Sequence, residues 1–177
     1  MRRAMLFVGA LMVVAMVGFV PSTAPAQGGF QQVTGKAFDS AMPKDFYLEG
    51  NAIPAQKRNA ALVKTGGGAR VLFALLDTSG YSSQVQEKYM GMIITEASLS
   101  VCGGNLGVGS YGFGLQKPAA SSDEDAKFFV YNQAGKKVMD CGAKKDSKIE
   151  QPKPLQVMLG AGQPAKLYLG RYWIGLK

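Results

Sequence analysis

The chain has 177 residues, a formal net charge of +8 at pH 7 and no histidine. The absence of histidine excludes the usual Ser-His-Asp and Cys-His catalytic arrangements, histidine-ligated zinc and the commonest general base. Two cysteines are too few for a cysteine-ligated zinc site, so the sequence predicts no metal and no other cofactor. The excess of lysine and arginine favours attraction to anionic polymers or lipid headgroups.

The first 26 residues follow the order of a secretory signal peptide. Two arginines precede an apolar run, which ends at Pro21 before the small-residue stretch STAPAQ. Ala24 and Ala26 fit a cleavage site, so we expect an exported chain, periplasmic or extracellular, cleaved near Ala26. An uncleaved anchor helix is the alternative, because the apolar run approaches the roughly 20 residues that span a bilayer.

The exported part is expected to be one domain held by one disulfide. Residues 27–43 have no clear period and predict an N-terminal leader, while residues 44–177 predict a single β domain. Cys102 and Cys141 both lie in this part, and an even cysteine count in an oxidising compartment predicts that they pair. Export also argues against nucleic acid or nucleotides as partners.

The predicted elements, in chain order, begin with short strands and one helix. Residues 45–49 predict a strand, and residues 51–59, which include a proline, predict a loop before a strand at 60–65. Residues 70–78 are apolar on both alternating faces, which is typical of a central strand buried on both sides. Residues 82–89 predict a short helix, capped by Ser83.

The remaining elements are predicted strands. Residues 90–102 form one long strand with Ile93, Leu99 and Val101 on its apolar face. Turn residues at 132–135 and 160–164 predict two hairpins. About nine strands with almost no helix favour an all-β antiparallel sandwich, with a small closed barrel as the alternative.

Gly107, Gly109 and Gly112 have the G-x-G-x-x-G spacing of a dinucleotide-binding loop. That loop must open a helix and be followed by an acidic residue about 20 positions later, and this stretch has neither feature. The apolar face instead changes alternation phase between Gly109 and Tyr111. The stretch therefore predicts a β-bulge or bend near Gly109, because glycine adopts the backbone angles that a bulge requires.

Three groups of residues are candidates for binding. Lysines around Cys141 are candidates for contacting anionic polysaccharide or lipid headgroups: Lys136, Lys137, Lys144, Lys145, Lys148 and Lys153. Trp173 beside Arg171 is a candidate for stacking on a sugar, since strand alternation turns either Trp173 or Tyr172 outward. A run of hydrogen-bonding side chains forms a third candidate: Gln56, Lys57, Arg58 and Asn59.

Three functional hypotheses remain. The favoured one is an exported, non-catalytic binding or structural domain of the bacterial cell envelope. The first alternative is a small barrel that carries an apolar ligand in its interior. The second is a hydrolase that uses two of the three strand-associated carboxylates, Glu49, Asp77 and Glu96, which would have to lie roughly 5 to 10 Å apart.

Overall fold

A computed structural model describes residues 29–119, 125–160 and 163–177 of the chain. The described residues form thirteen antiparallel strands and two short helices, which confirms the predicted all-β class. The strands are β1 (Gln31–Val33), β2 (Asp45–Leu48), β3 (Asn51–Lys64), β4 (Arg70–Leu76), β5 (Gly91–Thr95), β6 (Leu99–Val101), β7 (Gly104–Leu106), β8 (Gly109–Gln116), β9 (Ala126–Asn132), β10 (Lys137–Lys145), β11 (Gln156–Gly160), β12 (Gln163–Leu169) and β13 (Tyr172–Leu176). The helices are α1 (Lys36–Ala41) and α2 (Ser83–Lys88).

The strands join into one sheet that is nearly closed into a barrel. Its hydrogen-bonded order is β1, β3, β4, β5, β8, β9, β10, β13, β12, β11, with β2 attached to β3 and the β6–β7 hairpin attached to β13. At the end of this path β11 contacts β3, so the two ends of the sheet meet. This architecture matches the barrel alternative of the sequence analysis.

Alternating side chains create two apolar cores, one on each side of β4. Val71 and Phe73 point into the barrel, whereas Leu72 and Ala74 pack on its outer wall beneath β2 and α2. All four are buried, as predicted for a strand that is apolar on both faces. Barrels of about eight strands have an interior just wide enough for side chains to fill. Fully buried rings such as Phe113 fill this one, so accessible sites lie on the outer wall and at the ends.

Three local predictions were wrong. Residues 51–59 are not a loop but belong to β3, where a bulge between Gln56 and Ala60 absorbs the extra residues. The predicted long strand at 90–102 is divided into β5 and β6, because Thr95 bonds to the carbonyl of Ala97 and interrupts the ladder. The cap of α2 is Ser82 rather than Ser83, and its hydroxyl accepts from the Val85 N–H.

The predicted leader also contains regular structure. β1 and α1 both lie before residue 44, and β1 pairs with the end of β3. The sequence of this segment shows no apolar periodicity, because α1 buries none of its residues fully. The predicted signal segment, residues 120–124 and the tip of the second hairpin lie outside the described residues. No helix among the described residues is long and apolar enough to cross a membrane.

The glycine stretch forms the predicted bend. β7 pairs with β6, whereas β8 pairs with β5, and the chain changes partner between Leu106 and Gly109. Gly109 has a φ of 154°, in the range that favours glycine. The following residues continue as strand β8, so this stretch opens no helix.

Cys102 and Cys141 form the predicted disulfide, with an S–S distance of 2.08 Å. Cys102 and Gly103 are the two central residues of the β6–β7 hairpin, and both have positive φ, as a type I′ turn requires. The disulfide therefore joins this hairpin to β10.

Candidate functional site

The single tryptophan lies between two lysines on the outer wall of the barrel. Strand pairing places Lys144 of β10 directly opposite Trp173 of β13, and Lys166 of β12 opposite Gly175. The Lys166 Nζ is 4.1 Å from the centre of the Trp173 ring, and the Lys144 Nζ is 5.7 Å from it. The two ammonium groups therefore flank a half-buried aromatic ring.

A cavity of about 590 Å³ adjoins this ring. Its described lining contains two lysines and no acidic side chain: Ser100, Cys102, Gly103, Gln163, Pro164, Lys166, Trp173, Gly175 and Lys177. Gly175 leaves its floor open, because a Cβ added there would meet no atom within 4 Å. We call Lys144, Lys166, Trp173, Gly175 and this cavity the Trp173 surface.

Backbone hydrogen bonds and the disulfide hold the walls of this cavity. The Cys102 N–H donates to the Gly175 carbonyl at 3.0 Å, and the Ser100 and Lys177 backbones exchange hydrogen bonds. Since Cys102 is also bonded to Cys141 of β10, the hairpin that lines the cavity is fixed to β10. The cavity is thus preformed, as ligand sites usually are.

Tyr168 supports Trp173 from the neighbouring strand. The two residues are cross-strand partners, and their ring centres are 6.5 Å apart. The buried Tyr168 hydroxyl donates to the Asp146 carboxylate at 3.0 Å. Burial is the main cause, and this hydrogen bond the second, of a raised pKa for Tyr168. Its hydroxyl therefore stays protonated and keeps this hydrogen bond at ordinary pH.

The structure divides the predicted lysine cluster. Lys137 begins β10 and Lys136 directly precedes it, roughly 25 Å along the strand from Lys144 and Lys145 at its end. Lys137 forms an ion pair with Asp140 at 3.2 Å. Lys148 and Lys153 lie in the connection after β10, at the same end of the strand as Lys144 and Lys145.

The Arg171 side chain is bonded to the β10–β11 connection. Its guanidinium donates to the Ile149 carbonyl, and its own carbonyl accepts from the Asp146 N–H at 2.8 Å. Arg171 therefore ties the β10–β11 connection to the β12–β13 turn. Tyr172 is only partly buried and packs against the interior core, so Trp173 is the residue that the strand turns outward.

The residues of the third candidate group are largely engaged within the fold. The Gln56 amide donates to the Leu76 carbonyl, and the Asn59 amide donates to Gln56 at 2.7 Å, which stabilises the β3 bulge. Lys57 forms an ion pair with Asp39 of α1 at 2.8 Å. Arg58 is exposed on the bulge.

The three candidate carboxylates have separate partners. Glu96 binds the guanidinium of Arg70 at the start of β4, and these hydrogen bonds lower the pKa of Glu96. Asp77 follows the end of β4, where hydrogen bonds from Ser79 lower its pKa.

Glu49 accepts hydrogen bonds from the Lys88 ammonium and from the Tyr89 hydroxyl, and these bonds lower its pKa in that order of importance. Asp77 and Glu96 occupy opposite ends of β4, about 20 Å apart, too far for a glycosidase pair. Among the described residues, no three His, Cys, Asp or Glu side chains are grouped closely enough to hold a metal ion.

Sequence reasoning named Trp173 and Lys144 but missed Lys166 and Gly175. Gly175 lies on the same face of β13 as Trp173, and Lys166 lies on the same face of β12 as Tyr168. The alternation of side chains along each strand was therefore a usable signal for both residues. Only the register between β12 and β13, however, brings Lys166 and Gly175 together beside the ring.

The fold and this surface describe a nearly closed antiparallel barrel with a cationic, aromatic patch on its outer wall. Comparisons of the chain with family models, curated proteins and solved structures found no match.

Proposed function

We infer that this chain is an exported, non-catalytic binding domain of the bacterial cell envelope, and that the Trp173 surface binds an acidic polysaccharide there. The observation that carries this proposal is the position of the Trp173 ring. It lies between the ammonium groups of Lys144 and Lys166 and beside an open cavity. Export rests on the signal-like N-terminus and on the paired cysteines.

The chemistry of the surface suits a sugar acid. An aromatic face packs against the apolar face of a sugar ring, while lysine ammonium groups act as point charges toward carboxylate, sulfate or phosphate. Among the described residues, neither Lys144 nor Lys166 forms an ion pair with an acidic side chain. Both charges are therefore available to an anionic ligand, which would draw Lys166 away from the ring face.

The two alternative functions have less support in the geometry. Among the described residues, apolar side chains fill the barrel interior, and the cavity of about 760 Å³ that Phe30, Leu159 and Leu176 partly line lies near the strand ends. A hydrolase would need two carboxylates across one cleft, whereas Asp77 and Glu96 lie at opposite ends of β4.

Charge reversal at Lys144 tests the proposal. We expect Lys144→Glu to weaken binding of a uronic acid hexasaccharide by about tenfold or more, because an attractive charge becomes repulsive. Calorimetric titration at low salt measures the affinity. Lys44→Glu is the matched control, since it makes the same charge change at an exposed lysine beside β2, on another part of the wall.

The control should bind within about twofold of wild type. Equal affinities for both variants would contradict the proposal. Binding to phosphatidylglycerol vesicles without binding to the hexasaccharide would also overturn it and would favour a lipid headgroup as the ligand.

A further inference from the structure

A second cavity lies on the outer wall, between α2 and strands β8 and β9. Its volume is about 580 Å³, within the range of small-molecule sites. Its lining combines two aromatic rings with three amide or carboxylate side chains: Gln84, Glu87, Lys88, Leu115, Gln116, Phe129 and Tyr131. It contains none of the residues that line the Trp173 surface.

The aromatic wall comes from two positions of the same phase on β9. Phe129 and Tyr131 are half-buried, and their ring centres are 6.4 Å apart. The Lys88 Nζ lies 5.0 Å from the centre of the Tyr131 ring, and the Lys137 Nζ lies 5.4 Å from that of Phe129. The two rings, tilted by 40° to each other, thus form an apolar wall with a cation near each.

Glycines of β8 create the opposite wall by admitting the end of α2. A Cβ at Gly114 would lie 2.4 Å from the Lys88 carbonyl oxygen, and a Cβ at Gly112 would lie 2.8 Å from the Tyr89 ring. Any larger residue would push this segment away from the sheet. Gly112, the last glycine of the G-x-G-x-x-G spacing, therefore helps to shape a cavity without opening a nucleotide loop.

The two lysines whose ammonium groups lie near these rings are each paired with a carboxylate. Lys88 is paired with Glu49, and Lys137 is paired with Asp140. Glu87 in the lining adds a negative charge. The cavity therefore offers no excess positive charge to an anion, in contrast to the Trp173 surface.

We propose that this cavity binds a neutral sugar residue. Phe129 and Tyr131 provide the stacking platform, and the side chains of Gln84, Gln116 and Glu87 provide donors and acceptors for hydroxyl groups. A peptide added as a strand is disfavoured, because β8 and β9 each already have a hydrogen-bonded neighbour on both sides. The ligand chemistry differs from that of the Trp173 surface, so each site can fail without the other.

Nuclear magnetic resonance tests this site with three neutral probes: cellohexaose, maltohexaose and mannohexaose. We expect at least one probe to shift the side-chain amide signals of Gln84 and Gln116. Phe129→Ala should weaken that binding by about tenfold. Gln116→Ala changes an exposed side chain and should weaken it by about threefold without a risk to folding.

Two controls separate the sites. Val138→Ala removes an exposed side chain next to Lys137 that does not line the cavity, and Trp173→Leu alters only the other surface, so neither should change binding of the neutral probe. Absence of shifts with all three probes would overturn the proposal. So would shifts of Gln84 and Gln116 that arise only with the uronic acid hexasaccharide.

Discussion

Glu49 shows how a residue that looks like a candidate catalyst can act as a structural link. It follows β2 with a φ of 48°, and its N–H donates to the Gln133 carbonyl in the β9–β10 turn at 2.8 Å. Its carboxylate accepts from Lys88 of α2 and, at 2.5 Å, from the buried Tyr89 hydroxyl. One residue thus ties three segments together. Burial, and then this hydrogen bond, raise the pKa of Tyr89, so its hydroxyl remains a donor.

Replacing Glu49 should make stability depend less on pH. The hydrogen bonds lower the folded-state pKa of Glu49, so its contribution is present above the unfolded pKa of about 4.3 and is lost as pH falls through the folded-state value. We expect Glu49→Gln to lower the free energy of unfolding by about 1 kcal/mol at pH 7. The difference from wild type should shrink near pH 3.

Urea unfolding at both pH values measures this effect. Glu150→Gln, at an exposed carboxylate, is the control and should change stability little at either pH. A deficit for Glu49→Gln that is as large at pH 3 as at pH 7 would show that the ionised carboxylate is not responsible.

At the scale of elements, β8 is shaped by what packs on it. Gly114 has the Lys88 carbonyl against one face, whereas Gly175 of β13 faces open space. Both are strand glycines, so they form a matched pair in which only the surroundings differ.

Gly114→Ala should destabilise the fold, while Gly175→Ala should not. The new methyl group at position 114 would overlap backbone atoms of α2, and overpacking of this kind costs about 1 to 3 kcal/mol. At position 175 the methyl group meets nothing, and the loss of chain entropy in the unfolded state favours alanine slightly. Urea midpoints of the two variants measure the difference, and equal midpoints would show that α2 does not rest on β8 as described.

The sequence was informative at several places where local chemistry sets the structure. Alternation identified β4 as buried on both faces, and turn residues located the β9–β10 hairpin. The sequence was misleading where pairing between strands determines the local structure. The β3 bulge and the break after Thr95 depend on neighbouring strands, which no local pattern records. Part of the candidate site was missed for the same reason, because Lys166 reaches Trp173 only through the register of β12 and β13.

At the scale of the whole molecule, closure of the sheet and the disulfide act together. The β6–β7 hairpin is joined to the rest of the sheet by a short pairing with β13 and by the bond between Cys102 and Cys141. The same hairpin lines the cavity of the Trp173 surface. The stability of the fold and the shape of the proposed binding site are therefore linked through this bond.

The Cys102→Ser, Cys141→Ser double variant should be less stable than wild type by about 4 kcal/mol, the chain-entropy value for a loop of roughly 40 residues. The loss arises mainly because the unfolded chain is no longer cross-linked. Denaturant unfolding under non-reducing conditions measures it, and wild type in reducing agent provides the control. A double variant as stable as oxidised wild type would show that the bond does not constrain the chain.

The most direct test of the binding proposal is the fluorescence of Trp173, the single tryptophan of the chain. Titration with the uronic acid hexasaccharide at low salt should give a saturable change in emission. Sodium chloride at about 0.5 M should reverse that change, because it screens the lysine charges. Gly175→Leu, which fills the open floor of the cavity, should abolish it. An unchanged emission at every ligand concentration, or an equal response in wild type and Gly175→Leu, would contradict the assignment of the Trp173 surface as the binding site.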